Sequence, residues 1–309
     1  MHYLMHEGAT EYIGRQNIDK ASAKREISGA GGSVMSIFTW SPGAAQRLEI
    51  AGKGLEAVCH GPPPEAAPTL MLLHEGLGCV ALWRDFPARL AAATGFGVFV
   101  WSRAGYGKSD PAQLPRPLDY MTREATEVLP LVIDAAGCRH AVLLGHSDGA
   151  SIAAIYAGSI EDFRVRRLVL IAPHFFTEPT GLAAIAKARR DYETGDLRAR
   201  LARYHDCVDV AFRGWNDAWL DPGFVDWNVA ECLDYLRVPV LVVQGDGDEY
   251  GTVRQVDEIV TRSHAPVDVE LLAGCGHAPQ NEQPERTLAV IVDFCTRLER
   301  IERAEVGKQ

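Results

Sequence analysis

The chain lacks most of what marks a secreted, metal-braced or membrane-inserted protein. It has no Cys-x-x-Cys pair, and its seven cysteines (Cys59, Cys79, Cys138, Cys207, Cys232, Cys275, Cys295) are odd in number and dispersed. That spacing suggests neither a zinc site nor a disulfide framework, and it fits a reducing compartment. No apolar run approaches the roughly 20 residues a membrane helix needs, and the N-terminus lacks the apolar core of a signal peptide. Positive charge is not in excess. The formal net charge is -10, with the basic residues scattered, which argues against a nucleic-acid partner. Neither internal repeats nor low-complexity segments are visible. These absences predict a soluble cytoplasmic protein with no membrane or nucleic-acid partner, and they leave its oligomeric state open.

At 309 residues the chain is long enough for one large α/β domain with an insertion, or for two small domains. Residues 1–34 are polar and aperiodic, with Gly29, Gly31 and Gly32 near their end. They read as a disordered extension with one short helix near Asp19–Ile27. Met35 opens a more ordinary beginning and is a candidate native start. From there an alternation of buried strands and helices develops. Arg47–Ile50 and Leu55–Cys59 form a hairpin at a sheet edge around Gly52 and Gly54. Thr69–Leu73, Gly97–Trp101, the run from His140 to Gly145, Arg167–Ala172, Val238–Gly245 and Val267–Leu272 are short apolar strands. Helices are expected over Trp83–Thr94, Leu118–Ala136, Thr252–Ser263 and Gln283–Glu302, and after Gly149. This rhythm predicts an α/β fold with a mainly parallel sheet covered on both faces. It breaks between Thr177 and Arg237, where the sequence is helical and aromatic. The expected organisation is therefore core over 35–176, helical cap insertion over 177–237 and core again over 238–309.

The chemistry centres on Gly145-His146-Ser147-Asp148-Gly149, a serine between two glycines where a buried strand meets a helix. That context describes a nucleophile elbow. A serine needs a histidine to take its proton and a carboxylate to orient that histidine. Two late loops offer them: Gly245-Asp-Gly-Asp-Glu-Tyr250 and Gly274-Cys-Gly-His277. The N–H of Asp148, at the start of its helix, is a natural oxyanion donor. Gly107-Lys108-Ser109 matches the tail of a phosphate-binding loop, but its leading glycine would fall at Ser102, and Pro111 follows almost at once. Nucleotide binding is rejected on that ground.

The order Ser, acid, His, with His74-Glu-Gly-Leu-Gly78, Ser102-Arg-Ala-Gly-Tyr-Gly-Lys-Ser109 and Glu282-Gln-Pro-Glu285, resembles the α/β-hydrolase fold superfamily. Within it the chain is similar to the capped serine esterase, lactonase and carbon–carbon hydrolase group, over roughly residues 47 to 300. The resemblance implies Ser147 as nucleophile, His277 as general base and Asp248 as its partner, with Asp246 and Glu249 as rival acids. It implies a second oxyanion donor at Gly76, or at its neighbour Leu77 if the loop registers differently. It gives His74 a role fixing its loop, His146 one packing beside the elbow, and Arg103 one as scaffold. It implies no metal and no cofactor. Leu77, Tyr106, Trp215 and Trp219 are the candidate substrate contacts, and Trp227 is a further candidate for the pocket roof.

The sequence departs from the family pattern at Glu75, which stands where relatives carry glycine, and at Ser102, where many carry aspartate. Glu75 either narrows the entrance or pairs with a cap residue. The implied reaction is hydrolysis of a small ester-type substrate. The Asp148 carboxylate either simply suits the first turn of its helix or edges the acyl pocket, where it would repel anionic substrates; the expected substrate is a neutral ester or lactone. Carbon–carbon hydrolysis and thioester hydrolysis with the same triad are the alternatives, and a ligand-binding receptor on a hydrolase scaffold is the remote one.

Overall fold

The computed structural model describes residues 38–306. The expected extension over 1–34, its helix at 19–27 and a start at Met35 lie outside the described residues. Eight strands form a single sheet: β1 Gln46–Ile50, β2 Lys53–His60, β3 Thr69–Leu73, β4 Gly97–Trp101, β5 Ala141–His146, β6 Val165–Ile171, β7 Val240–Gly245 and β8 Val267–Leu272. Their order is β1-β2-β4-β3-β5-β6-β7-β8. The β1–β2 and β2–β4 pairs are antiparallel, and every pair from β4 to β8 is parallel.

The apolar runs divide between two cores because alternate strand residues point to opposite faces. Met71, Leu73, Leu143, Leu168, Leu170 and Val242 pack on one face. Leu70, Leu72, Val142, Leu144, Val169 and Val243 pack on the other, against Leu90, Ile291 and Phe294 of the covering helices. A strand covered on both sides has no polar face to show, so it reads as an unbroken apolar run.

The helices are α1 Phe86–Thr94, α2 Tyr120–Arg123, α3 Leu129–Ala135, α4 Asp148–Ser159, α5 Pro179–Thr194, α6 Leu197–Leu201, α7 Val208–Trp219, α8 Val253–Arg262, α9 Pro279–Glu282 and α10 Pro284–Val306. Two expected helices are interrupted. The one expected from Trp83 begins at Phe86, because Val80–Trp83 is a 3-10 turn and Arg84 takes a φ of 55° between them. The one expected over Leu118–Ala136 contains a π turn at Glu124–Val128. Pro130 has no N–H to give to the carbonyl four residues back, so the regular ladder opens there. The last helix is preceded by the short α9, and Pro284 opens the longer piece. Between β6 and β7 the chain runs through α5, α6, α7 and two 3-10 turns, Pro222–Phe224 and Ala230–Tyr235.

In the sheet order β5 and β4 flank β3; the connection from β3 runs to β4 on one side, and the connection out of β4 crosses back over β3 to β5 on the other, so the two run in opposite directions along the sheet. A crevice opens outside the carboxyl ends of strands at such a reversal. The loops after β3 and β5 both lead into it.

Candidate active site

The turn after β5 is built from what its glycines omit. A Cβ on Gly145 would lie 2.2 Å from the Gly149 carbonyl oxygen, and one on Gly149 would lie 2.1 Å from the Leu73 carbonyl oxygen. Strand, turn and helix therefore approach more closely than any side chain permits. Ser147, between them, takes φ 53° and ψ −119°. For a residue with a Cβ this is a strained conformation, held by packing on all sides. Its N–H bonds to the Ile171 carbonyl at 2.9 Å, and its carbonyl accepts from Ala150 and Ser151 as α4 begins. The first N–H groups of that helix have no partner within it and carry its positive end.

The histidine and its acid come from the loops after β8 and β7. His277 Nδ1 lies 2.9 Å from Asp248 Oδ1 and 2.8 Å from Oδ2. Oδ1 also accepts from the N–H groups of Tyr250 (2.8 Å) and Gly251 (3.2 Å), and Oδ2 accepts from Gln244 Nε2 (2.9 Å). Burial works to raise the Asp248 carboxyl, but the hydrogen bond and charge of His277, with the Tyr250 N–H, outweigh it and hold it below its ordinary value. The rival Asp246 turns away: its Oδ1 accepts from the Gly274 N–H at 2.8 Å, bracing the loop that carries His277. Glu249 is exposed.

Ser147, Asp148 and His277 line a cavity of about 110 Å³ together with Glu75, Gly76 and Leu77 of the loop after β3. Ile185, Trp215 and Trp219, from α5 and α7, line it as well, as do His174 and Tyr250. A Cβ on Gly76 would lie 2.3 Å from the Trp215 indole nitrogen, so that loop is pressed directly against the helical segment. Trp227 stands behind, stacked on Phe224 and 5.6 Å from Trp219 between ring centroids.

The loop after β3 is fixed by two uncharged histidines. His74 donates Nδ1–H to the Glu75 carbonyl at 2.7 Å and accepts the Arg103 N–H on Nε2 at 3.0 Å. His205 accepts the Gly107 N–H on Nδ1 at 2.9 Å and donates Nε2–H to the Leu77 carbonyl at 3.0 Å. The Arg103 guanidinium adds bonds to the carbonyls of His74 and Glu75. His146 donates Nε2–H to the His277 carbonyl at 2.8 Å. Its Nδ1 lies 2.9 Å from Gln280 Nε2 and 3.4 Å from Glu75 Oε2. Glu75 thus pairs with the histidine beside the nucleophile rather than with a residue of the helical segment.

One further expectation changes. Tyr106 is fully buried and does not line the cavity. Its turn is closed by Tyr106 N–H to the Arg103 carbonyl and Ser109 N–H to the Tyr106 carbonyl, with positive φ at Gly105 and Gly107. This folds the ring inward, between His74 and His205 and under the guanidinium groups of Arg103 and Arg116. The Asp148 carboxylate, besides lining the cavity, accepts from the Tyr120 hydroxyl, which in turn accepts Trp219 Nε1–H at 3.0 Å. Sequence reasoning missed Tyr120, Ile185, His174 and Tyr250. The available signal was weak: Tyr250 ends the acid's own loop, and His174 follows a strand end, but nothing in the spacing sets either apart.

Strained serine, braced histidine and the crevice at a sheet reversal meet in one place. A sequence profile of the alpha/beta hydrolase family matches residues 70–290, and the chain belongs to that family. Curated relatives match only in part. Epoxide hydrolase B of Mycobacterium tuberculosis is 30% identical over 110 residues, which is 36% of this chain and 30% of that protein. Monoacylglycerol lipase ABHD6 of Mus musculus is 34% identical over 68 residues, or 22% of this chain and 20% of that one. Among solved structures, the enol-lactonase of Burkholderia xenovorans superposes with a TM-score of 0.64 at 19% identity, over 81% of this chain and 100% of that one. Carboxylesterase CesB of Bacillus subtilis superposes at 0.62 with 24% identity, over 81% and 90%. At these identities the structural likeness speaks to the fold. The chain has this fold, and it covers less than a third of the length of either curated relative.

Proposed function

We propose that the protein is a serine hydrolase that cleaves a small ester or lactone carrying no negative charge, through an acyl-enzyme. The observation that carries this reading is Ser147, held at a strained turn, sharing one cavity with a histidine whose Nδ1 is braced by Asp248.

In this reading His277 Nε2 takes the Ser147 proton as Oγ attacks the carbonyl, and Asp248 stabilises the imidazolium that results. The N–H groups of Asp148 and Gly76 receive the developing oxyanion. His277 then gives its proton to the departing alkoxide, leaving the acyl group on Ser147. Water enters, loses a proton to His277 and attacks the acyl carbon; the proton returns to Oγ as the acid leaves. The cycle balances with water alone. Leu77, Trp215 and Trp219 enclose the substrate from above, with Tyr106 supporting the loop from behind. The helical segment over 177–237 acts as a cap.

A fluorophosphonate probe is expected to label Ser147, and Ser147→Ala to abolish the labelling. Turnover of p-nitrophenyl butyrate should fall by about 10⁴ to 10⁶ in that variant. Labelling that persists in Ser147→Ala overturns the assignment.

A further inference from the structure

The charged side chains of acid or base type that line the cavity are both carboxylates, Glu75 and Asp148; no lysine or arginine is among its described lining residues. Three aromatic side chains, Trp215, Trp219 and Tyr250, line it as well. Carboxylates set among aromatic rings form an environment that favours an organic cation, through charge and through the negative faces of the rings. We propose that the favoured substrates carry an ammonium-type cation, held beside Glu75 against these aromatic side chains, with Asp148 lending the same sign of field. This rests on the ester-hydrolase reading above and adds the substrate's charge to it.

Glu75 carries most of the argument. Burial raises its carboxyl, but the hydrogen bond and charge of a protonated His146, with the Arg103 charge, outweigh that, so while His146 is protonated the two form an ion pair. His146 faces it, and contact with Glu75 draws the histidine upward against burial. On the alkaline side of that titration His146 is neutral. It then donates Nε2–H to the His277 carbonyl and accepts from Gln280 on Nδ1, and its charge no longer offsets that of Glu75.

Two buried guanidinium groups stand nearby, and both lie behind the wall. Arg103 is spent on the main-chain carbonyls of His74 and Glu75, and Arg116 lies over the rings of Tyr106 and Tyr120. Burial raises the Asp148 carboxyl above its ordinary value although those guanidinium groups and the Tyr120 hydroxyl oppose the rise, so its charged form is the less favoured of the two. A cation inside the cavity therefore meets Glu75 first.

Two isosteric pairs test this in mildly alkaline buffer. Acetylcholine against 3,3-dimethylbutyl acetate places the cation in the alcohol. The ethyl ester of trimethylglycine against ethyl 3,3-dimethylbutanoate places it in the acyl group. Each kcat/KM is divided by the hydroxide rate constant of the same ester, which removes intrinsic reactivity. The expected result is a preference of about ten-fold or more for the cationic member of at least one pair. Glu75→Gln should bring that ratio close to one, and Asp148→Asn should lower it less. Ratios at or below one in both pairs, with neutral esters still cleaved in a Ser147-dependent way, overturn the proposal and leave the hydrolase reading standing. A ratio unchanged in Glu75→Gln overturns the assignment to that residue. Failure to cleave any ester or to take the fluorophosphonate label strikes the hydrolase reading itself. Should Glu75→Gln not fold, competition in the wild-type protein decides: millimolar tetramethylammonium should inhibit neutral-ester hydrolysis, and no inhibition up to about 100 mM overturns the proposal.

Discussion

Asp246 and Asp248 are separated by one glycine, yet they do opposite work. Asp246 is exposed and bonds the Gly274 N–H, so its task is to hold two loops together. Asp248 has its side chain almost wholly enclosed and spends its oxygens on His277, Gln244 and two N–H groups. Replacing Asp248 by Asn leaves the shape and removes the charge. It also presents an amide N–H that favours the wrong tautomer of His277. Asp248→Asn should therefore cost on the order of 10⁴ in kcat, whereas Asp246→Asn should cost less than about ten-fold. Steady-state kinetics on p-nitrophenyl butyrate decide it, and the reverse ranking would move the acid to Asp246. The sequence could rank these two by loop position but could not separate them physically. What separates them is which carboxyl meets the imidazole, and that depends on a contact across 29 residues.

At the scale of elements, the helical segment and the acid loop are fastened to each other. The Glu178 carboxylate, just before α5, accepts from Thr252 N–H at 2.9 Å, Thr252 Oγ1 at 2.7 Å and Gln255 Nε2 at 2.9 Å. Three residues on, a Cβ at Gly181 would lie 2.3 Å from the Tyr250 carbonyl oxygen. Alanine in a helix normally gains up to about 1 kcal/mol over glycine. Here the backbone contact leaves no room, and overpacking costs about 1–3 kcal/mol. Gly181→Ala should lower the urea midpoint and, by pushing on the Tyr250 loop, lower kcat as well. A variant more stable than the wild type would show the approach to be looser than this. The strands were legible because each is buried on both faces and reads as an apolar run. The elbow was legible because two glycines around a serine leave few other geometries. The interruptions at Arg84 and Glu124–Val128 were not, since periodicity continues across them. Nor was the chain from Trp219 through Tyr120 to Asp148, whose members lie 99 and 28 residues apart and carry no joint signature.

Across the whole molecule, buried histidines set the response to acid. Burial lowers His74, His174 and His205 from their ordinary value, with the Arg103 charge adding to the first and the His277 charge to the second. The bonding of His74 and His205 agrees: each accepts a backbone N–H on one ring nitrogen, which a doubly protonated ring cannot do. Below pH of about 6.5 the unfolded chain protonates all three while the native fold does not, so the unfolded state binds more protons and stability falls as pH falls. Each such histidine contributes a slope of up to about 1.4 kcal/mol per pH unit between its unfolded and folded values. His146, raised in the fold, is protonated in both states below that point and adds no slope there; its contribution is lost as pH rises through its folded value. Asp248 and Glu75, held low, lose their contribution only below pH of about 4. Asp148 and Glu124, raised by burial, oppose the trend toward the acid end. Between pH of about 6.5 and 5 the histidines should make urea midpoints drop on acidification, with Asp148 and Glu124 acting against the drop. His205→Gln can still accept from Gly107 and donate to Leu77, but it does not titrate. Its slope in that window should be shallower than the wild type's by about one histidine's share, and an equal slope would mean that His205 is already protonated in the fold.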